Sequence, residues 1–291
     1  MYVKKHERQM KTRRLFLIAG YDPQNIADES LLLLVKSMAK CGDVILYMDS
    51  DCDTEQLIKF KHLCIYADAK RHEEYDFGSY KRAYLYAKSH DILSDYDFLY
   101  FINDSVYGPL YDIEPYLLKM ESNNTDAFGL VCNPKKSHPH IQSWFIGMRK
   151  SVFQTLWFDD FILSVKKLSD KGSVTKLYEH GLSKLVLEHG LKWSCLYTVS
   201  GRGIYNDVKK LYKKKMPFIK KASFIRHNGG LGRQIYYVLN HTNKNIKSAI
   251  LKNAERNFGK KYMNWLLTKN PFIIIYRNIS YGISKFLRGK I

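Results

Sequence analysis

The stretch that most constrains this chain is DYDFLYFINDSVYGPL, residues 95–110. Phe98 to Ile102 is an unbroken apolar and aromatic run, too short for a helix with a polar face. It reads as a strand buried on both faces, as in the middle of a parallel sheet. The run stops on Asn103, Asp104 and Ser105, and Gly108 and Pro109 break the chain beyond them. Open α/β sheets bind ligands at the carboxyl ends of their strands. A carboxylate between an amide and a hydroxyl at that place suits a hydrated divalent cation carrying phosphates, because hard cations take oxygen ligands. The same three residues also suit a turn that closes a strand.

The residues before this strand repeat the pattern. Leu15–Ala19 reads as a first strand ending at Tyr21-Asp22-Pro23, and Ala27–Lys40 as an amphipathic helix. Val44–Met48 is a second strand ending on Asp49, Ser50, Asp51 and Asp53, Gln56–His62 a helix and Leu63–Tyr66 a third strand. A turn around Asp76-Phe77-Gly78 leads into a helix from about Ser79. Right-handed crossovers in this β-α-β-α-β-α-β order give a parallel sheet flanked by helices, with acidic loops on one rim. Beyond it the sequence predicts a helix over Ile113–Met120 and strands over Ala127–Cys132 and Ile141–Met148. Alternation in the latter would put Gln142, Trp144 and Ile146 on one face. Helices over Ser151–Ser169 and Leu177–His189 and a last strand over Lys192–Tyr197 follow.

The net charge of +19 is unevenly placed: residues 202–291 hold 21 Lys/Arg and 2 Asp/Glu, leaving 26 of each sign in the rest. A neutral body with a basic, aromatic-rich end points to docking on a polyanion, either an anionic membrane surface or nucleic acid. On a helix, Phe272, Ile275, Ile279, Ile283 and Phe286 share one face, with Arg277, Ser284, Lys285 and Arg288 elsewhere on the surface, the pattern of an interfacial helix. No run approaches the roughly 20 apolar residues that would span a bilayer. Five cysteines (Cys41, Cys52, Cys64, Cys132, Cys195) without metal-ligand spacing read as reduced thiols of a cytoplasmic protein.

Taken in order, YDFGSYKRAY, FINDSVYGPL, HIQSWF and YEHGLSKLVLEHGLK resemble the rhamnan synthesis F family across roughly residues 15–230. That family comprises bacterial polysaccharide glycosyltransferases and glycosyltransferase-like proteins. The resemblance implies a GT-A-like fold over residues 1–230 and a membrane-docking helical region over residues 231–291. It puts Asp104 in the place of the DxD motif, which holds Mg or Mn against the donor diphosphate, although Asn103 and Ser105 stand where acids often do. Tyr21, Asp49, Asp51, Asp76, Gly78 and Asn103 become donor contacts, and His227 a further metal ligand or phosphate contact. Glu179 matches the base that opens a helix before Leu182-Ser183 and Gly190, and His140, Gln142 and Trp144 match the acceptor strand. Asp49 and Asp51 as a solvated loop, Asp76 as a helix cap, Glu179 as a dipole partner and Trp144 as core are the structural alternatives.

The expected reaction moves a rhamnose- or galactofuranose-like sugar from a nucleotide diphosphate to a lipid-linked glycan, with inversion, on the inner face of the cytoplasmic membrane. A nucleic-acid-binding protein and a non-catalytic glycosyltransferase-like assembly partner are the rivals. Against the first, the positive charge is segregated from the acidic rim and no nucleic-acid motif is present. For the second speaks the incomplete DxD.

Overall fold

The computed structural model describes residues 12–226 and 230–288. Its first half is β1 (Arg14–Gly20), α1 (Glu29–Ala39), β2 (Asp43–Met48), α2 (Thr54–Ile58), β3 (Tyr66–Ala69), α3 (Tyr75–Ser89) and β4 (Phe98–Asn103). These strands lie parallel in the order β3-β2-β1-β4. Period-two alternation splits the sheet into two apolar layers. Phe16 and Ile18 of β1 and Tyr100 of β4 pack on the α1 side, and Leu15, Leu17 and Phe101 on the α3 side. Every residue of β4 is buried, as the two-sided apolar run predicts.

The sheet continues through β6 (Ala127–Asn133), β7 (His140–Ile141), β8 (Phe145–Arg149) and β9 (Trp193–Thr198). β8 is antiparallel to β4 and β6, and β9 is parallel to β6 on its other edge. Between them run β5 (Val106–Tyr107), α4 (Glu114–Glu121), α5 (Lys150–Phe153), α6 (Leu156–Leu163), α7 (Lys171–Val174) and α8 (His180–Glu188). A π-helical turn, Thr175–Glu179, opens α8. The chain then forms α9 (Gly203–Asn206), α10 (Val208–Lys213), β10 (Ile219–Lys220), α11 (Leu231–Asn240), α12 (Lys244–Phe258), α13 (Lys260–Leu266) and α14 (Pro271–Arg288). β10 pairs antiparallel with β5, and Tyr107, Leu110 and Phe224 share a third core with α11–α13.

Several boundaries differ from the sequence reading. The turn expected at Asp76–Gly78 is already helix, because Glu73 and Tyr75 take left-handed φ values of 60° and 57° and turn the chain earlier. Gly78 is needed for close approach: a Cβ there would stand 2.4 Å from the Glu74 Cβ and 2.7 Å from the His72 ring. The single strand expected over 141–148 is two, because the Ser143 amide leaves the ladder to donate to the Glu179 carboxylate. The third strand falls at 66–69, and the expected long helix over 151–169 is two short ones ending at Leu163. Cys132 and Cys195, expected as thiols, are bonded to each other because β6 and β9 lie side by side. Arg277, expected on the surface, is buried and donates to the Trp265 and Leu266 carbonyls at 2.9 and 2.5 Å. No helix among the described residues is long and apolar enough to cross a membrane.

Candidate functional site

A cavity of about 580 Å³ opens at the carboxyl end of β4, lined by residues from α3, the β4–β5 turn, the β7–β8 break, the π-turn and β10. Asn103 is buried, donates to the Asp76 carboxylate at 2.8 Å and accepts from the Ser105 amide at 3.1 Å. Burial pushes the Asp76 carboxyl up to about 6, with Lys171 and Lys220 opposing. Asp104 accepts an ion pair from Lys221 Nζ at 2.9 Å. Burial raises its carboxyl above the usual range against the pull of that ammonium.

A second lysine stands beside this turn. Lys220 is buried, donates to Ser105 Oγ at 2.6 Å and stands over the Trp144 ring at 5.1 Å. Burial lowers its ammonium to about 8, with Asp76 and Glu179 opposing. The sequence reading counted both lysines among the surface-docking charges of residues 202–291. The β5–β10 pairing instead brings them into the cavity.

Glu179 forms the facing wall. Its Oε2 accepts from the Ser143 amide at 2.8 Å and the Ser143 hydroxyl at 2.5 Å, and its Oε1 lies 3.4 Å from His140 Nε2. Burial alone would raise its carboxyl; the His140 and Ser143 donors outweigh that and hold it below the ordinary glutamate value. A carboxylate kept ionised beside open space can accept a proton from a substrate hydroxyl once that hydroxyl begins to react. His140 is held in turn through Nδ1, which donates to the His138 carbonyl at 2.8 Å and so leaves Nε2 aimed at Glu179.

The other expected contacts are placed unevenly. Gln142 lines the cavity, but its Oε1 accepts the Trp144 indole N–H at 2.8 Å. Trp144 is 3% exposed and packed against Phe145 and Phe218, so the ring is core first and cavity wall second. Asp49 is buried and accepts from the His72 and Glu73 amides at 2.7 and 3.0 Å, which makes it the anchor of the loop before α3. Asp51 accepts from the Arg71 amide at 3.0 Å, and Arg71 stands over the exposed Tyr21 ring at 5.7 Å. These three lie at the ends of β1 and β2, outside the cavity lining. Gly78 lies within α3, and His227 falls outside the described residues. Ser143, His138, His180, Lys171, Lys220 and Lys221 line or support the cavity and were missed. Nothing local in the sequence marks them, except that His180 follows Glu179 directly.

A metal bound by Asp104 does not fit the residues present. One carboxylate, already paired with an ammonium, is flanked by an amide and by a hydroxyl bonded to a second ammonium. At an effective dielectric of 20, a dication some 4 Å from an ammonium is repelled by about 8 kcal/mol. Ligand-type atoms do converge elsewhere: His140, Glu179 and His180 offer donors all within 4.8 Å of one another. Two imidazoles and a carboxylate suit a borderline transition ion.

Among solved structures, the chain is similar to a nucleotide-diphospho-sugar transferase, itself described as putative, from Desulfovibrio desulfuricans G20, at 14% identity and a TM-score of 0.41 over 86% of this chain and 98% of that one. It is also similar to the mannosyltransferase Ktr4p from S. cerevisiae in complex with GDP, at 11% identity and a TM-score of 0.37 over 62% and 69%. A glycosyltransferase involved in glycosylation of the major capsid of PBCV-1 matches at 10% identity and a TM-score of 0.37 over 72% and 92%. No curated protein matches the chain. The model of rhamnan synthesis protein F matches residues 49–280 and so spans the cavity, its basic wall and the helices behind them. The chain therefore belongs to the rhamnan synthesis protein F family, a family of glycosyltransferases that use nucleotide sugars.

Proposed function

We propose that the chain transfers a glycosyl group from a nucleoside-diphosphate sugar to a glycan hydroxyl, with inversion at the anomeric carbon. The observation that carries this reading is Glu179, an ionised carboxylate held by His140 and Ser143 across a cavity from the carboxyl end of β4. The acceptor hydroxyl gives its proton to Glu179 as its oxygen bonds to the anomeric carbon. The bond from that carbon to the diphosphate breaks, and the nucleoside diphosphate leaves with the electron pair. His140 and Ser143 orient the carboxylate, and Asn103, fixed by Asp76, shapes the donor side. Tyr21 and Asp51, exposed at the rim, are the candidates for base and ribose.

The sugar is a rhamnose- or galactofuranose-like residue, and the acceptor a lipid-linked glycan of a bacterial surface polysaccharide. α14 supports a membrane location. Phe272, Ile275, Tyr276, Ile279 and Ile283 are all more than half exposed, within about 100° of one another around the helix. Arg277, which packs the helix onto α13, points the other way. An apolar face turned outward in a basic region is suited to an anionic bilayer. The donor half is tested by thermal shift with nucleoside diphosphates and their sugars: one base should stabilise the protein. Silence across the panel, with and without divalent ions, would contradict the assignment.

A further inference from the structure

The family's fold leads one to expect a divalent cation between Asp104 and the donor diphosphate, and the residues around Asp104 do not fit one. We infer that Lys220 and Lys221 themselves neutralise the diphosphate, so that donor binding is independent of metal. This rests on the nucleotide-sugar reading above.

Three observations converge on it. First, β10 pairs with β5 so that Lys220 stands opposite Val106, and the Lys221 amide donates to the Ser105 carbonyl at 2.9 Å. The two lysines are therefore fixed by backbone against the turn that ends β4, rather than carried on a free loop. Second, their ammonium groups reach the two ends of that turn, Lys221 to Asp104 at 2.9 Å and Lys220 to Ser105 Oγ at 2.6 Å. Third, both line the cavity, yet the pair meets only one carboxylate at bonding distance among the described residues. Lys220 is buried beside a neutral hydroxyl and an indole face.

A buried ammonium without a bonded carboxylate is costly unless an anion completes it. A diphosphate supplies that anion with several oxygens, and two ammonium groups match the charge a divalent ion would bring. Lysine binds phosphate as a compact point charge with three donors. Asp104 then has a different task from metal ligation: it holds Lys221 in place until the phosphate arrives. Lys171, on the opposite wall, adds a third positive charge to the cavity.

The test measures binding of inorganic pyrophosphate and of a panel of nucleoside diphosphates by calorimetry, once in EDTA and once in Mn²⁺. The inference predicts that at least one diphosphate binds in EDTA with an affinity within about threefold of that in Mn²⁺. Lys221→Met and Lys220→Met should each weaken it at least tenfold, and Asp104→Asn, which only loosens Lys221, should change it by the same factor in EDTA as in Mn²⁺. Retention of binding by Lys221→Arg separates lost charge from lost folding. Binding that requires Mn²⁺ and vanishes in Asp104→Asn would overturn the inference and leave the nucleotide-sugar reading standing. Absence of binding by every nucleotide under both conditions would remove that reading, and the inference with it.

Discussion

Replacing Arg256 by alanine tests how firmly the C-terminal helices belong to the body that carries the site. Arg256, on α12, donates to Asp22 at 2.5 and 3.0 Å, to Asp28 at 3.1 Å and to Gln24 at 3.0 Å. Asp22 and Asp28 lie between β1 and α1, 228 to 234 residues away in the chain. Removing one partner of a buried ion pair costs about 3–5 kcal/mol, because the other charge stays behind without its partner. Here the arginine side chain is 21% exposed, and Asp28 keeps Asn253 and the Ser30 and Leu31 amides. The expected loss is therefore about 2–3 kcal/mol, or roughly 5–10 °C in the melting temperature. The loss should also depend on pH. Burial pushes the Asp28 carboxyl up, but Asn253 and Arg256 outweigh it and hold it below its ordinary value. Stability gained this way is complete above the unfolded carboxylate range and disappears as pH falls through the folded value. The gap between wild type and Arg256→Ala should be full at pH 7 and close in acid. Thermal unfolding at several pH values measures the gap, and amide exchange over residues 244–258 localises it. A variant within 0.5 kcal/mol of wild type at neutral pH, or a gap that widens in acid, would refute the reasoning.

Three further outcomes follow from the site and its surface. Ser143→Ala removes one hydrogen bond that keeps Glu179 ionised, worth about 1.5–3 kcal/mol to a charged acceptor. The acid limb of the rate profile should move up by about one to two pH units, with little change at pH 8; an unmoved limb would separate Ser143 from the base. Zn²⁺ should bind the cluster of His140, Glu179 and His180 and inhibit transfer by engaging the base, and His180→Ala should relieve the inhibition at least tenfold; equal sensitivity in the variant would contradict this. Serine at Phe272, Ile275 and Ile279 together should abolish co-sedimentation with phosphatidylglycerol vesicles while leaving the melting temperature within about 2 °C. Unchanged sedimentation, or equal retention on RNA, would move the basic region to another partner.

The fold was largely legible because its signals are local. A two-sided apolar run such as Phe98–Ile102 has few alternatives to a central strand, and the residues that end it, Asn103 and Ser105, line the cavity. Glu179, which lines the cavity, stood out in the sequence because Leu182, Ser183 and Gly190 follow it in a fixed order along the chain. Lys220 and Lys221 were not, because their meaning depends on a two-residue pairing that reaches Ser105 and Asp104 across 115 and 117 residues. In the sequence they are two of 21 basic residues in a basic tail. Ser143 stayed hidden for a related reason: alternation predicts a continuous strand, and only the Glu179 carboxylate opposite explains why the ladder breaks there. Trp144 shows the converse, an aromatic residue of the right type whose N–H and ring face are already engaged by Gln142 and Lys220.

The most direct measurement is release of nucleoside diphosphate from a panel of nucleotide sugars, followed for wild type and Glu179→Gln at matched concentration. The account predicts turnover of one donor by wild type, raised when a glycan acceptor is present, and a fall of about 10²–10⁴-fold in the variant while that donor still shifts its melting temperature. A Glu179→Gln protein as active as wild type, or a wild type that binds the donor and never turns it over, would contradict the assignment of Glu179 as base. The second result would leave the chain a glycosyltransferase fold used for assembly instead of transfer.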